Sequence, residues 1–338
     1  MIRVNEHIVQ RPADVVAAFE ELLVSGQLTN NGPQVRTFES ELEDLVDGRR
    51  ALTTANGTWA LQLSFRALAA RTERRDVIVP SFTCSATVCS LIWEGFHPVF
   101  CDVNPDTLCL SVEHARTLID DRTAGICGVH VFGNPCDIPG VEHLAKEFDL
   151  FTVYDGAQAF GSMLDGRSVL SRGTLSITSF HAYKIVSSIE GGAIFCSDEE
   201  LMTELFRLRY FGKRADNTEV MVGTNAKMSE VHALIGRSSL SHLDDELRRR
   251  HDIADRYDRA FQHMPGVRIQ TVQTGAIPNR SYYALVFDSE EICNGAVRST
   301  QEKDIQVRRY FTPSLNDTGI YCIKRTDTPI SDALARQT

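Results

Sequence analysis

Three short stretches carry side chains with the makings of a reaction. In SFHAYKIVSSIEGGAIFCSD, residues 179–198, Lys184 follows Ser179, Phe180 and His181 and precedes the doublet Gly191-Gly192. The apolar run LFTVYD closes on Asp155, and Asn56-Gly57-Thr58 stands between a short apolar run and an amphipathic one. Each has a plain reading. A loop lysine is usually a solvated cation, an aspartate after a strand caps the next helix, and a glycine turn often only shapes a helix start. Each also has a chemical reading: an amine bonds a carbonyl, a carboxylate keeps a pyridine nitrogen protonated, and backbone N–H groups at a helix start take a phosphate. A pyridoxal phosphate enzyme needs these three functions together. Here they occur in the order phosphate turn, carboxylate, lysine.

The elements that must position them follow from the hydrophobic periodicity. Helical spacing runs through Ala13–Leu23 and Val35–Val46, a short strand through residues 51–55, and a helix through Trp59–Ala70. Strand candidates then recur at 76–80, 97–103, 125–132, 150–155, 176–180 and 192–197, with helical stretches such as Thr83–Trp93, Val112–Ile119 and Val141–Phe148 between them. Short apolar strands alternating with amphipathic helices predict an α/β fold with a mainly parallel sheet covered on both faces. Ligands of such sheets gather at the carboxyl ends of the strands, where all three stretches fall. One long helix is predicted from Met228 to about Met264, and VRIQTV, SYYALVFD and DIQVRRYF resemble strands of a smaller α+β domain. The expected division is 1–240 for the large domain and 241–338 for the small one, whose end, DALARQT, offers no evident closing element.

Composition narrows the functions. The 338 residues carry a formal net charge of -10 and only short basic clusters, Arg74-Arg75, Arg248-Arg249-Arg250 and Arg308-Arg309. Nucleic acid needs a basic footprint, so it is disfavoured as a partner. Arg308-Arg309, beside Tyr310, is the doublet that could reach an anionic substrate. Nine cysteines without a C-x-x-C pair, most inside apolar runs, predict reduced, buried thiols and a cytoplasmic protein. No H-E-x-x-H or comparable histidine pair suggests a metal, and no apolar run reaches the ~20 residues a membrane helix needs.

At this level the chain resembles the DegT/StrS-type nucleotide-sugar aminotransferases, pyridoxal phosphate enzymes of the aspartate-aminotransferase fold (fold type I). The resemblance spans about Val16 to Leu334. It is carried by TNNGPQVRTFESELE, ANGTWALQLSFRAL, VPSFTCSAT, PVFCDVNPDTL, VHVFGNPCDI, YDGAQAFG, SFHAYK with EGGAI, and GTNAKMSEVHALIG. GNPCDI, SFHAYK and GTNAKMSE are most similar to the branch that makes dTDP-4-amino-4,6-dideoxyglucose. The resemblance implies pyridoxal 5'-phosphate as cofactor, with pyridoxamine phosphate as the form that carries the amino group. It makes Lys184 the covalent anchor and proton carrier and Asp155 the partner of the pyridine nitrogen. Gln158 would bond the ring hydroxyl, and Gly57, Thr58 and Ser179 the phosphate. Asn225 would reach the phosphate from a neighbouring subunit, which implies a homodimer with shared sites. Lys227 is implied at the donor's carboxylate, with L-glutamate as donor and a place in O-antigen or other glycan biosynthesis; beside it, His181, which could face substrate or fix its loop, and Tyr310 are candidate substrate contacts.

Three departures from the family pattern stand out. Cys84 occupies the place of an aromatic that stacks on the cofactor; either the thiol covers that face less fully or another ring substitutes, with nearby Phe82 as a candidate. Lys227 stands where an arginine is usual. The family's final strand and helix past ISDALARQT are absent. Competing expectations are the same chemistry on another keto sugar or at C3, a sugar dehydratase (which has histidine in place of Lys184), a nicotinamide oxidoreductase (whose G-x-G-x-x-G is missing), and a catalytically silent homologue.

Overall fold

Strand and helix alternate as the periodicity requires, and among the described residues the strands assemble into one large sheet and two small ones. The computed structural model describes residues 1–4, 12–321 and 326–338. Helices α1 (Pro12–Ser25) and α2 (Pro33–Leu45) precede strand β1 (Arg50–Thr54) and helix α3 (Gly57–Ala69). Then come β2 (Asp76–Pro80), α4 (Ser85–Trp93), β3 (His97–Cys101), α5 (Val112–Leu118), β4 (Thr123–Val129), α6 (Ile138–Phe148) and β5 (Phe151–Asp155). Two short strands, β6 (Met163–Leu164) and β7 (Arg167–Ser168), lead to β8 (Leu175–Ser179), β9 (Gly192–Cys196) and α7 (Glu199–Arg209). The remainder is α8 (Glu230–Leu240), α9 (Leu243–Phe261), β10 (Val267–Ile269), β11 (Ala276–Ile277), β12 (Leu285–Phe287), α10 (Glu290–Gln301) and α11 (Pro329–Gln337).

Seven strands form the main sheet in the order β1-β9-β8-β5-β4-β2-β3. β3, β2, β4, β5 and β8 pair in parallel, and β9 runs antiparallel to both β8 and β1. Successive side chains leave a strand on opposite faces, so each apolar strand feeds two cores. Ile78 of β2 packs with Phe38, Leu42, Val141, Leu144 and Leu240 from α2, α6 and α8. Val77 and Val79 pack with Leu61, Phe65, Val88, Leu91 and Leu205 from α3, α4 and α7. The result is the three-layer α/β architecture expected, with its apolar strands covered on both sides.

The motifs TNNGPQV and GTNAKMSE meet at a buried carboxylate. Glu230, fully buried, accepts from the backbone N–H groups of Gln34 at 2.7 Å and Val35 at 3.3 Å. A negative group there satisfies two unpaired amides and complements the dipole of α2. Six of the described cysteines are buried as expected, while Cys84 is exposed. Cys322 lies outside the described residues.

Three sequence expectations are corrected in the carboxyl-terminal third. The long helix divides at Ser241-His242 into α8 and α9. Ser and His are weak helix formers there, and Asp244, Asp245 and Glu246 mark a fresh amino-terminal turn. DIQVRRYF is not a ladder strand: β10 and β12 pair only with each other, and Ile305 makes a single bridge to Ile2. The stretch ending in DALARQT does close on something, because it forms α11. The buried carboxylate of Asp102, just past β3, accepts from Ile330 N at 2.9 Å and from Ser331 N and Oγ at 2.7 Å each, which fastens the start of α11. No helix among the described residues is long and apolar enough to cross a membrane.

Candidate active site

The site begins where three strands end side by side. Gly192 of β9 pairs with Thr54 of β1 on one side and with Ser179 of β8 on the other. Beyond Thr54 the chain turns through Asn56, whose side chain accepts from Trp59 N at 2.8 Å and caps α3. The lack of side chains at Gly192 and Gly57 makes the convergence possible. A Cβ on Gly192 would lie 2.6 Å from the Asn56 carbonyl carbon and 2.7 Å from Gly57 N. A Cβ on Gly57 would lie 2.9 Å from Cβ of Ser179. The amides that open α3 and the Ser179 hydroxyl therefore face one small space. Amide donors of a helix start beside a hydroxyl are the groups that a phosphate takes.

Asp155 ends β5, next to Val129 of β4 and Ile177 of β8. It is buried, and each carboxylate oxygen has a donor: Thr87 Oγ1 to Oδ2 at 2.6 Å and Ala157 N to Oδ1 at 3.0 Å. No helix follows it, and the next element is β6, so the helix-capping reading is set aside. Gln158 accepts from Phe132 N at 2.7 Å through Oε1, which orients its amide and leaves the NH2 group to donate elsewhere. Lys184, half-buried in the loop after β8, donates from Nζ to the hydroxyl of Tyr282 at 3.2 Å.

These groups line a single cavity of about 400 Å³. Gly57, Thr58, Asp155, Gln158, Ser179, His181, Lys184 and Tyr310 all border it. His181 faces Glu190 at 3.5 Å and packs edge-on against Tyr183. Tyr310 packs edge-on against Tyr282 and Phe132.

Asn225 and Lys227 do not border this cavity. Asn225 bridges to Tyr210, and the Lys227 ammonium lies 4.7 Å from the ring centres of both Tyr210 and Phe211 and bonds Asn225 Oδ1. Partial burial, then Arg209 and Lys213, lower the Lys227 pKa. Phe82, the expected substitute ring, is corrected: it is wholly buried against Phe132 and Phe311 and does not reach the cavity. The rings that do border it are Tyr183, Tyr282, Tyr310 and Phe311, with Cys84 beside them.

Sequence reasoning missed Thr87, Tyr282 and His130. Thr87 lies within PSFTCSAT, and Tyr282 within SYYALVFD, where it read as strand; only distant partners reveal their roles. His130 is fully buried on the cavity wall, stacked on Tyr154 at 5.2 Å, with Nδ1 accepting from Cys136 N at 3.1 Å. Burial pushes its pKa down to about 3. Nδ1 is the acceptor, so Nε2 carries the proton.

The arrangement fits pyridoxal phosphate: a phosphate cradle that a Cβ would fill, a braced carboxylate and an amine share one cavity. Comparison with known proteins agrees. The model of the DegT/DnrJ/EryC1/StrS aminotransferase family matches residues 10–338. A dTDP-4-amino-4,6-dideoxy-D-glucose transaminase of Shigella dysenteriae is 35% identical over 301 residues, 87% of this chain and 80% of its own. A GDP-perosamine synthase of Vibrio cholerae is 29% identical over 294 residues, 86% of this chain and 80% of its own. Among solved structures, DesI in the presence of its TDP-sugar product superposes with a TM-score of 0.91 at 31% identity, covering 100% of this chain and 86% of the other.

Proposed function

The chain belongs to the DegT/DnrJ/EryC1/StrS aminotransferase family, and from that premise we propose that it moves an amino group from L-glutamate to the keto group of a nucleotide-linked sugar. The specific reading is conversion of dTDP-4-keto-6-deoxyglucose to dTDP-4-amino-4,6-dideoxyglucose. The observation that carries it is the convergence of Lys184, Asp155 and the Gly57–Ser179 cradle on one cavity. The sugar follows the relative with 35% identity.

Pyridoxal phosphate, when bound, supplies the electron sink that makes the substrate's α-proton labile. The protein does the rest. Gly57 N, Thr58 N and the Ser179 hydroxyl would hold the cofactor's phosphate. Asp155, held from two sides, would keep a proton on the pyridine nitrogen, and the Gln158 amide would donate to the ring hydroxyl. Lys184 carries the proton that arrives at the sugar's C4, and Tyr282 sets the direction of its Nζ. His181 and Tyr310 contact the substrate.

Asn225 and Lys227 complete the cavity of a second copy in this reading, with Asn225 on the phosphate and Lys227 on the donor's carboxylate. Their position outside their own cavity supports it, as do the exposed apolar side chains nearby, Phe211, Val220 and Val222. The working protein is then a cytoplasmic homodimer that supplies an amino sugar for O-antigen or other glycan assembly.

The test is direct. Protein loaded with pyridoxal phosphate should form 2-oxoglutarate from L-glutamate, and NMR of the product from dTDP-4-keto-6-deoxyglucose should show nitrogen on C4. Nitrogen on C3, or a sugar-nucleotide of another base reacting instead, overturns the specific substrate. Absence of 2-oxoglutarate overturns the transaminase reading.

A further inference from the structure

Arg308 and Arg309 are adjacent, yet they face different surroundings. Arg309 turns away from the cavity, where it donates to Asn294 Oδ1 at 3.0 Å and to the carbonyls of Ala335 and Arg336 at 3.3 and 2.6 Å. Glu290 adds an ion pair at 3.5 Å, so Arg309 clamps the end of α11. Arg308 borders the cavity, with its guanidinium 5.8 Å from the ring centre of Tyr183 and Tyr310 next in the chain.

The other charged groups of the cavity are accounted for. Asp155 is held by Thr87 and Ala157, Lys184 by Tyr282, and Glu190 faces His181. Among the described residues, Arg308 has no carboxylate within ion-pair distance. Arg308 and Lys184 are thus the cavity's two cations without a carboxylate partner among the described residues; Lys184 is the reacting amine, and Arg308 lies at a tyrosine face, anchored through its neighbour's clamp. A guanidinium is a planar fork of donors that matches phosphate oxygens two at a time.

We infer that Arg308 binds the diphosphate of the sugar nucleotide and is the residue by which this cavity selects a nucleotide-linked sugar over a free one. The inference rests on the function proposed above. Arg308 is exposed while the Lys184 amine is half-buried. A charge at the rim suits a substrate whose phosphates lie across the sugar ring from the reacting C4. An amino acid's carboxylate is attached directly to the reacting carbon and belongs closer to Lys184.

The experiment compares wild type, Arg308→Gln and Arg308→Lys, each loaded with pyridoxal phosphate, by calorimetric titration with dTDP, UDP and GDP and by steady-state kinetics. Wild type should bind at least one nucleoside diphosphate. Arg308→Gln should weaken that binding and raise the KM for the sugar nucleotide by about tenfold or more, the usual scale for a charged hydrogen bond. Arg308→Lys should recover part of the loss, and the KM for L-glutamate should move by less than about twofold in both, since a remote charge is screened. Equal nucleotide affinity in wild type and Arg308→Gln overturns the inference and leaves the transaminase reading intact. A loss confined to L-glutamate overturns it in favour of the donor's carboxylate. Wild type that binds none of the three diphosphates overturns both the inference and the nucleotide-sugar reading.

Discussion

The hydroxyl of Thr87 donates to Oδ2 of Asp155 at 2.6 Å, joining the first turn of α4 to the end of β5 across 68 residues of sequence. With Ala157 N on Oδ1, the carboxylate is fixed in plane and direction before any ligand arrives. Thr87→Val keeps the shape and deletes the donor. Hydrogen bonds to charged groups contribute about 1.5–3 kcal/mol, so the glutamate half-reaction should slow roughly ten- to a hundredfold. Asp155→Asn, which cannot hold the proton on the pyridine nitrogen, should slow it further. Stopped-flow absorbance checks both, and a Thr87→Val rate equal to wild type would remove Thr87 from the site.

Gly192 makes a separate prediction about the cradle. An added methyl would sit within 2.7 Å of three backbone atoms of Asn56 and Gly57, none of which can move without shifting the start of α3. Gly192→Ala should therefore cost about 1–3 kcal/mol of stability, the scale of overpacking. It should also weaken pyridoxal phosphate binding more than Gly295→Ala, a control site in α10 with open space around it. Thermal melts with and without cofactor separate the two effects.

The sheet and the cavity's first residues were legible because periodicity and motif both act locally. Ile78 against Val77 and Val79 announces a strand covered on both faces, and the Gly191-Gly192 doublet announces a close approach. What stayed hidden depends on partners distant in sequence. Thr87 meets Asp155 and Lys184 meets Tyr282 only after the strands are ordered, and no spacing encodes that order. Phe82 was not separable from a cavity residue because a motif gives residue type but not side-chain direction: it is wholly buried against Phe132 and Phe311 and does not border the cavity. The break between α8 and α9 was blurred because the apolar stripe continues through Leu240 and Leu243, both buried.

Asp102 holds the first turn of α11 with three hydrogen bonds while Arg309 and Thr312 hold its last carbonyls. Asp102→Ala removes a buried carboxylate that caps a helix and leaves Ser331 N without its acceptor. Loss of such a cap costs typically about 1–2 kcal/mol. Because Arg309 adjoins Arg308 and Tyr310, KM for the sugar nucleotide should rise along with the drop in Tm. A lower Tm with unchanged KM would confine α11 to a stabilising role.

If Asn225 serves the partner's cavity, two inactive variants should rescue each other. Lys184→Ala and Asn225→Ala should each have little activity alone. Unfolded together and refolded as a mixture, half the dimers carry one variant of each kind, and one of their two cavities is wholly wild type. Activity should return to about a quarter of the wild-type value, by the symmetry of a two-fold dimer. Co-expression with two affinity tags isolates the mixed dimer, and an inactive mixed dimer would place Asn225 in its own chain's site or in none.

His130 predicts how stability depends on pH. Its side chain is wholly buried, and burial lowers its pKa from 6.5 to about 3. The native state then binds fewer protons than the unfolded chain between those values. Stability is therefore intact above about pH 6.5 and lost as pH falls toward 3, by up to about 1.4 kcal/mol per pH unit from this one group. His130→Asn keeps an acceptor near the Cys136 amide and cannot titrate. It should start less stable at pH 7.5, because a smaller side chain leaves space beside Tyr154, yet lose less on acidification. Urea melts of both proteins at pH 7.5, 6, 5 and 4.5 read the difference, which should narrow by roughly 1 kcal/mol per unit below pH 6. Parallel curves would mean that the imidazole takes up its proton inside the fold.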